Sequence, residues 1–223
     1  MKNIFTWAAC VAALALASCE APAESNSEAA PAKEEAKTTE APSFIGGTYN
    51  IDPATSRVNW KGTEITTSSH VGTINVHKGT INVIDNTIAK GFVAIDMSSM
   101  VCTDEGMGDD SKANLINHLS SDDFFGVEQF PYSRLEIEGI KVKGGEALAY
   151  GQIIIREISQ PINFPVTISD DNGNILVDAF VTFDRSKHDV KFRSGAFPDL
   201  FPNLGDKLIN DDIELDVHIV ATL

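Results

Sequence analysis

Ile162-Asn163-Phe164-Pro165-Val166-Thr167-Ile168, then Asp170-Asp171-Asn172-Gly173, then Ala179-Phe180-Val181-Thr182-Phe183 is the stretch that decides the fold. In both runs apolar residues recur at every second position, the period of a strand whose side chains alternate between two faces. The Asn-Gly pair between them is the strongest short-range signal for a two-residue hairpin turn. The oxygen-rich Asp170-Asp171-Asn172-Gly173-Asn174 run also has some character of a calcium loop. The flanking strands make a hairpin turn the simpler reading.

Outward from this hairpin the same period continues. Val58 and Trp60 alternate, as do Ile74 and Val76, then Ile81 and Val83. Val93, Ile95 and Met97 follow, then Leu135 and Ile137, Ile140 and Val142, and Ile153 and Ile155. Ile213, Leu215, Val217 and Ile219 complete the series. Asp85-Asn86 and Lys143-Gly144-Gly145 add turn signals. Eight to ten strands, mostly in hairpin order, predict an all-β antiparallel barrel or sandwich. Two stretches break the rhythm. Asp109 to Phe125 reads as a helix, with Leu115, Ile116 and Leu119 at helical spacing, and Asp109-Asp110 and Asp122-Asp123 reading as end charge and capping. Ser194 to Asn210 is irregular but carries Phe197, Leu200, Phe201 and Leu204, which either pack on the barrel or line a portal for an apolar ligand.

The N-terminus carries export information. Residues 1–18 combine one positive charge, a short apolar stretch from Ile4 to Ala17, and the ending Leu16-Ala17-Ser18-Cys19. The apolar stretch falls short of the ~20 residues needed to span a bilayer and suits a signal peptide. An apolar residue, two small residues and a Cys form the bacterial lipobox, so Cys19 is expected to be acylated. Residues 19–45 are mostly Ala, Glu, Pro, Ser, Thr and Lys and read as a disordered acidic tether, of which the 24 residues from Glu20 to Ser43 reach about 27 Å as a flexible coil. Residues 46–223 remain as one domain. The chain carries −15; Lys2 contributes +1 and the tether −4, which leaves −12 on the domain. That argues against nucleic-acid binding. After Cys19 only Cys102 remains in the mature chain, so no intramolecular disulfide forms.

The ordered motifs resemble those of the YceI-like family of bacterial polyisoprenoid-binding proteins. The run Tyr49-Asn50-Ile51-Asp52-Pro53-Ala54-Thr55-Ser56-Arg57-Val58-Asn59-Trp60-Lys61-Gly62 is similar to that family's opening, and Ser69-His70-Val71-Gly72-Thr73-Ile74 to its next motif. Asp96-Met97-Ser98-Ser99-Met100 follows. The most specific likeness is His118-Leu119-Ser120-Ser121-Asp122-Asp123-Phe124-Phe125-Gly126-Val127-Glu128-Gln129-Phe130-Pro131, and Gly205-Asp206-Lys207-Leu208 also fits. The chain departs from the family where Asn-Arg-(Thr/Lys)-Asp-Phe-Gly is usual, having Phe183-Asp184-Arg185-Ser186-Lys187-His188-Asp189. The resemblance implies an extended eight-stranded antiparallel lipocalin-like barrel with one helix near the opening. It also implies an apolar tunnel for a long isoprenoid or similar amphiphile, and no catalytic residues.

Tunnel candidates are Trp60, Phe92, Phe164 and Phe180 on strands, Phe124 and Phe125 after the helix, and Phe197 and Phe201 in the irregular stretch. Phe92 and Phe180 stand opposite in parity to Val93 and Val181, and parity alone does not say which face points inward. His70 and His118 are structural or contact a ligand head group. His70, His77, His118, His188 and His218 form no helical metal-binding pattern, so no metal and no cofactor are expected. His218, flanked by Val217 and Ile219, should face solvent or a polar seam. The sequence reading is a lipid-anchored, non-enzymatic carrier in the cell envelope facing the periplasm, with outer membrane favoured by Glu20, surface exposure open, and a homodimer possible. The alternatives are a lipid-modifying enzyme using His70 or His118 as base, and a structural or adhesion module with a filled barrel.

Overall fold

The computed structural model describes residues 43–65, 68–143 and 146–223. Cys19, the signal peptide and most of the tether lie outside the described residues, as does the Gly144-Gly145 turn. The strands are β1 (Gly47–Ile51), β2 (Arg57–Thr63), β3 (Ser69–Ile84), β4 (Thr87–Cys102), β5 (Tyr132–Lys143), β6 (Glu146–Ile155), β7 (Ile158–Asp171), β8 (Asn174–Asp184) and β9 (Asp212–Thr222), with one helix, α1 (Asp109–Ser120), between β4 and β5. Each strand from β2 to β9 pairs antiparallel with the next, and β9 pairs with β2. The sheet therefore closes into a barrel, which leaves no unpaired edge.

The barrel has eight strand positions although nine strands are counted. β1 and β2 share one position: both pair with β3 on one side and β9 on the other. Asp52-Pro53 breaks the strand. Asp52 Oδ1 accepts the Ala54 N–H at 2.9 Å and Oδ2 accepts the Thr55 hydroxyl at 2.8 Å, a local turn that competes with the ladder. Ser56 restores the connection by accepting the Val220 N–H on its Oγ at 3.0 Å.

The Asp170–Asn174 run is the two-residue hairpin turn that the Asn-Gly signal predicts. Asp171 pairs with Asn174, and Asn172 and Gly173 both have positive φ, 55° and 87°. Asp85-Asn86 and Arg156-Glu157 make equivalent turns with both residues in the left-handed region. The Asp85-Asn86 and Asn172-Gly173 hairpins close one end of the barrel. The other end carries the Arg156-Glu157 hairpin and receives the long connections, residues 103–131 with α1 and residues 185–211. β3 and β4 run 16 residues each, about 50 Å at a rise of ~3.3 Å per residue. At the hairpin end Phe44, which composition groups with the tether, packs partly buried against the core, its N–H donating to Asn86 Oδ1 at 2.6 Å.

The helix is shorter than its periodicity suggests, ending at Ser120 rather than Phe125. Ser121 turns to extended backbone, and its N–H and hydroxyl both donate to the His118 carbonyl. Asp109 and Asp110 occupy the first turn and act on the helix dipole rather than as caps, since Gly108 holds the cap position without a side-chain bond. Leu115, Ile116 and Leu119 pack against the core as expected. His218 meets the polar surroundings expected of it, Nδ1 lying 2.6 Å from Asp178 Oδ1.

Candidate functional site

The inward faces of the strands do not fill the barrel. They enclose a cavity of about 400 Å³, within the usual size range of small-molecule sites. The wall is apolar and comes from every strand position: Trp60 on β2, Ile74 on β3, Met97 on β4, Leu135 on β5, Ala149 on β6, Phe164 on β7, Val181 on β8 and Leu215 on β9 all line it. Small residues make part of the room. Ala149 and Phe164 are register partners, and Ala149, Phe164, Val166, Ala179 and Val181 form one cluster.

Trp60 is held in a defined pose. Its indole N–H donates to the Thr73 carbonyl at 3.2 Å. Its ring lies across the neighbouring strand over Gly72, where an added Cβ would come within 2.4 Å of the indole and 1.9 Å of the Val101 carbonyl. The glycine of His70-Val71-Gly72-Thr73 is therefore required for the ring to lie flat against the wall.

The tunnel candidates divide. Trp60, Phe164, Phe124 and Phe125 line the cavity. Phe180 does not. It is 71% exposed on the outer face of β8, because Ala179, Val181 and Phe183 hold the inward parity. Phe92 is half-buried and borders the cavity, but its register partners are Thr80 and exposed Glu136, so its Cβ stands on the outward parity while Gly91 and Val93 face in. Phe197 and Phe201 are half-buried behind the wall rather than in it. The Lys191 ammonium lies 5.7 Å from the Phe197 ring centre, and Phe201 packs on Phe192 with centroids 5.7 Å apart. Phe192 is the loop aromatic that lines the cavity. No periodicity in Lys191-Phe192-Arg193 marks it, so sequence reading missed it.

The polar groups that border the cavity gather at the helix end. His70 Nδ1 lies 2.6 Å from Asp104 Oδ2. Burial pushes the Asp104 carboxyl up, but the hydrogen bonds from His70, the Val71 N–H and Cys102 outweigh it and hold it below the usual carboxylate range. His118 Nε2 is 3.4 Å from Asp123, and its ring sits edge-on to both Phe124 and Phe192, centroids 5.0 and 4.6 Å away. This aromatic cluster joins the α1 exit to the 185–211 connection across the barrel end.

Two arginines fix these segments. Arg156 donates from Nη1 to the Asp122 and Phe124 carbonyls. Arg185 is fully buried. Its Nε donates to the Asn210 carbonyl, Nη1 to those of Val190 and Phe192, and Nη2 to that of Ile209, all at 3.0–3.2 Å. Nη2 also lies 3.2 Å from Asp211 Oδ1. Burial pulls the guanidinium pKa down, while Asp211 and Asp184 oppose that pull. The Arg185 donor set is spent on the loop that carries Phe192. The segment Asp184-Arg185-Ser186-Lys187-His188 thus organises the barrel end, a role that its charge conceals in the sequence.

Residues 49–221 match the family defined by the YceI-like domain. No curated protein matches the chain. Two solved structures share the architecture. One is BcnA from Burkholderia cenocepacia, 18% identical, with a TM-score of 0.56 over 77% of this chain and 99% of that one. The other is a polyisoprenoid-binding domain from Saccharophagus degradans implicated in plant cell wall breakdown, 12% identical, with a TM-score of 0.57 over 78% and 97%. At these identities the likeness is one of fold.

Proposed function

This chain belongs to the YceI-like family, and from that premise we propose that it is a membrane-tethered binding protein that holds a long isoprenoid or similar apolar lipid inside its barrel. The cavity carries the reading. An eight-stranded barrel is just wide enough to be filled by side chains or to hold one slim ligand, and this one keeps about 400 Å³ open behind an apolar wall. Burying a lipid chain there contributes about 0.8 kcal/mol per CH₂, so affinity comes from the wall without a dense set of polar contacts. The polyisoprenoid ligand of the Saccharophagus degradans domain is of this slim, apolar kind. We read the domain as a carrier rather than a catalyst because the cavity wall is apolar. The open cavity also weighs against a filled structural module.

Leu16-Ala17-Ser18-Cys19 supports a lipid anchor on Cys19, and with it a place in the cell envelope with the domain facing the periplasm. The central test is native mass spectrometry of the purified protein with organic extraction. A carrier releases lipid in stoichiometric amount. Protein that carries none, and that binds neither isoprenoid nor fatty chain at micromolar concentration, overturns the reading. The anchor has its own test: Cys19→Ser should lose its acyl chains and leave the membrane fraction, and unchanged membrane association would exclude it.

A further inference from the structure

The cavity is apolar along its length but not at its helix end, and one cation there is uncommitted. Three arginines border the cavity: Arg134, Arg185 and Arg193. Arg134 is exposed on the outward parity of β5, between Ala94 and Ile154. Arg185 has given its donors to four carbonyls and Asp211. Arg193 is different. It is half-buried, and among the described residues no carboxylate forms an ion pair with it. Its guanidinium is stacked 5.2 Å from the Phe192 ring centre, which orients the planar group without using its hydrogen-bond donors.

The backbone at Arg193 is held in place. Its φ is 49°, in the left-handed region that costs energy for a residue with a Cβ. Its carbonyl accepts the Ile209 N–H at 3.0 Å, and Ile209 forms an isolated bridge with Glu64. Phe192, next in the chain, is edge-on to His118. Arg193 therefore stands at the barrel rim between the end of β2 and the α1 exit. Several neighbouring acids are already answered, Asp104 by His70, Asp123 by His118, Asp211 by Arg185 and Asp189 by Lys191, while half-buried Glu64 lines the same rim and forms no ion pair among the described residues. In a domain of strongly negative net charge, a strained, oriented, unpaired arginine at the one polar end of an apolar cavity is a feature of a binding site rather than of a solvated surface.

We propose that Arg193 is the head-group contact of the cavity and selects lipids that end in an oxyanion, a phosphate or a carboxylate, over neutral chains of the same length. This rests on the carrier reading and adds the class of head group to it. The planar guanidinium matches both oxyanions in two-point hydrogen bonding.

The test uses three probes with one shared chain: geranylgeranyl phosphate, geranylgeranoic acid and geranylgeraniol. Each is titrated into the delipidated protein with Trp60 emission as readout. The parent should bind at least one of the two anionic probes about tenfold to a hundredfold more tightly than the alcohol, the range of a hydrogen bond to a charged group. The stronger of the two identifies phosphate or carboxylate as the preferred end. Arg193→Gln should abolish that preference while leaving the alcohol's affinity in place. Lys191→Gln removes the same charge from the same loop at a residue that does not line the cavity, and should leave the preference intact. Equal binding of all three probes by the parent overturns the proposal, as does an unchanged preference in Arg193→Gln, an equal loss in Lys191→Gln, or a loss in Arg193→Gln that includes the alcohol. If the parent binds none of the three, this proposal is overturned, and the carrier reading falls with it only where the protein also carries no lipid and binds no fatty chain.

Discussion

Replacing Arg185 by Met tests whether one buried guanidinium organises the loop over the barrel end. The side chain is fully buried and bonds four backbone carbonyls, those of Val190, Phe192, Ile209 and Asn210. It also faces Asp211 Oδ1, a buried oxygen with no hydrogen-bond donor of its own. Methionine fills comparable space but donates nothing. Each carbonyl left dry costs about 1–3 kcal/mol, so four of them set an upper limit near 12 kcal/mol. The 190–211 loop has exposed segments, however, and can turn carbonyls to water, which removes much of that sum. Removing one partner of a buried charge pair costs about 3–5 kcal/mol, and this is the expected loss. For a domain of this size each kcal/mol moves the melting temperature by about 2–4 °C, so Arg185→Met should melt roughly 6–20 °C lower. Circular dichroism and Trp60 fluorescence should follow the same transition. Arg185→Lys keeps the charge but has three donors on one nitrogen, and should fall between the two. A Met variant within about 2 °C of the parent would refute the reasoning, because the loop would then owe its shape to packing alone.

The cavity wall gives a paired prediction: Ala179→Trp, which points inward, should block lipid uptake in a displacement assay, whereas Phe180→Ala on the exposed side should leave both uptake and stability within about 0.5 kcal/mol of the parent. Loss of uptake in Phe180→Ala would mean that the outer face takes part. Phe124 is buried and Phe125 half-buried, so Phe124→Ala should cost about 3–5 kcal/mol and Phe125→Ala clearly less, measured by denaturant unfolding; the reverse order would put the wrong ring in the core. His188 is buried against Ile158 and Phe183, and burial pushes its pKa below the ordinary 6.5. The unfolded chain therefore takes up this proton first as pH falls, so stability is full above about 6.5 and declines below it. Asp104 and Asp184, both lowered, add to the loss only below their ordinary 3.8. Melting temperatures from pH 8 down to pH 5 should fall in the parent and flatten in His188→Asn, and parallel curves would remove His188 as the cause.

What the sequence made legible was whatever repeats locally. The β7–β8 hairpin follows from two alternating runs and one Asn-Gly pair, and its register is the one found. The shared position of β1 and β2 is not local. Asp52-Pro53 looks like an ordinary loop, and only pairing with β9, more than 150 residues later, shows two strands acting as one. The error at Phe180 has a local physical source. Ring size suggested a core role, but the residues sharing Phe180's parity are Asp178 and Thr182, while Val177, Ala179, Val181 and Phe183 share the other. A strand face is buried or exposed as a unit, so the neighbours two positions away carry more information than the residue itself. Phe92 is a mixed case: its neighbours on that parity are Lys90 and buried Ala94, and its ring borders the cavity. That rule has no equivalent at the barrel end. Arg185, Phe192 and Arg193 lie outside any strand, and their positions are set by contacts with carbonyls, His118 and Ile209 that no spacing encodes. The apolar wall is therefore written in strand periodicity, whereas the rim, where we propose that a head group is chosen, is written in loop contacts.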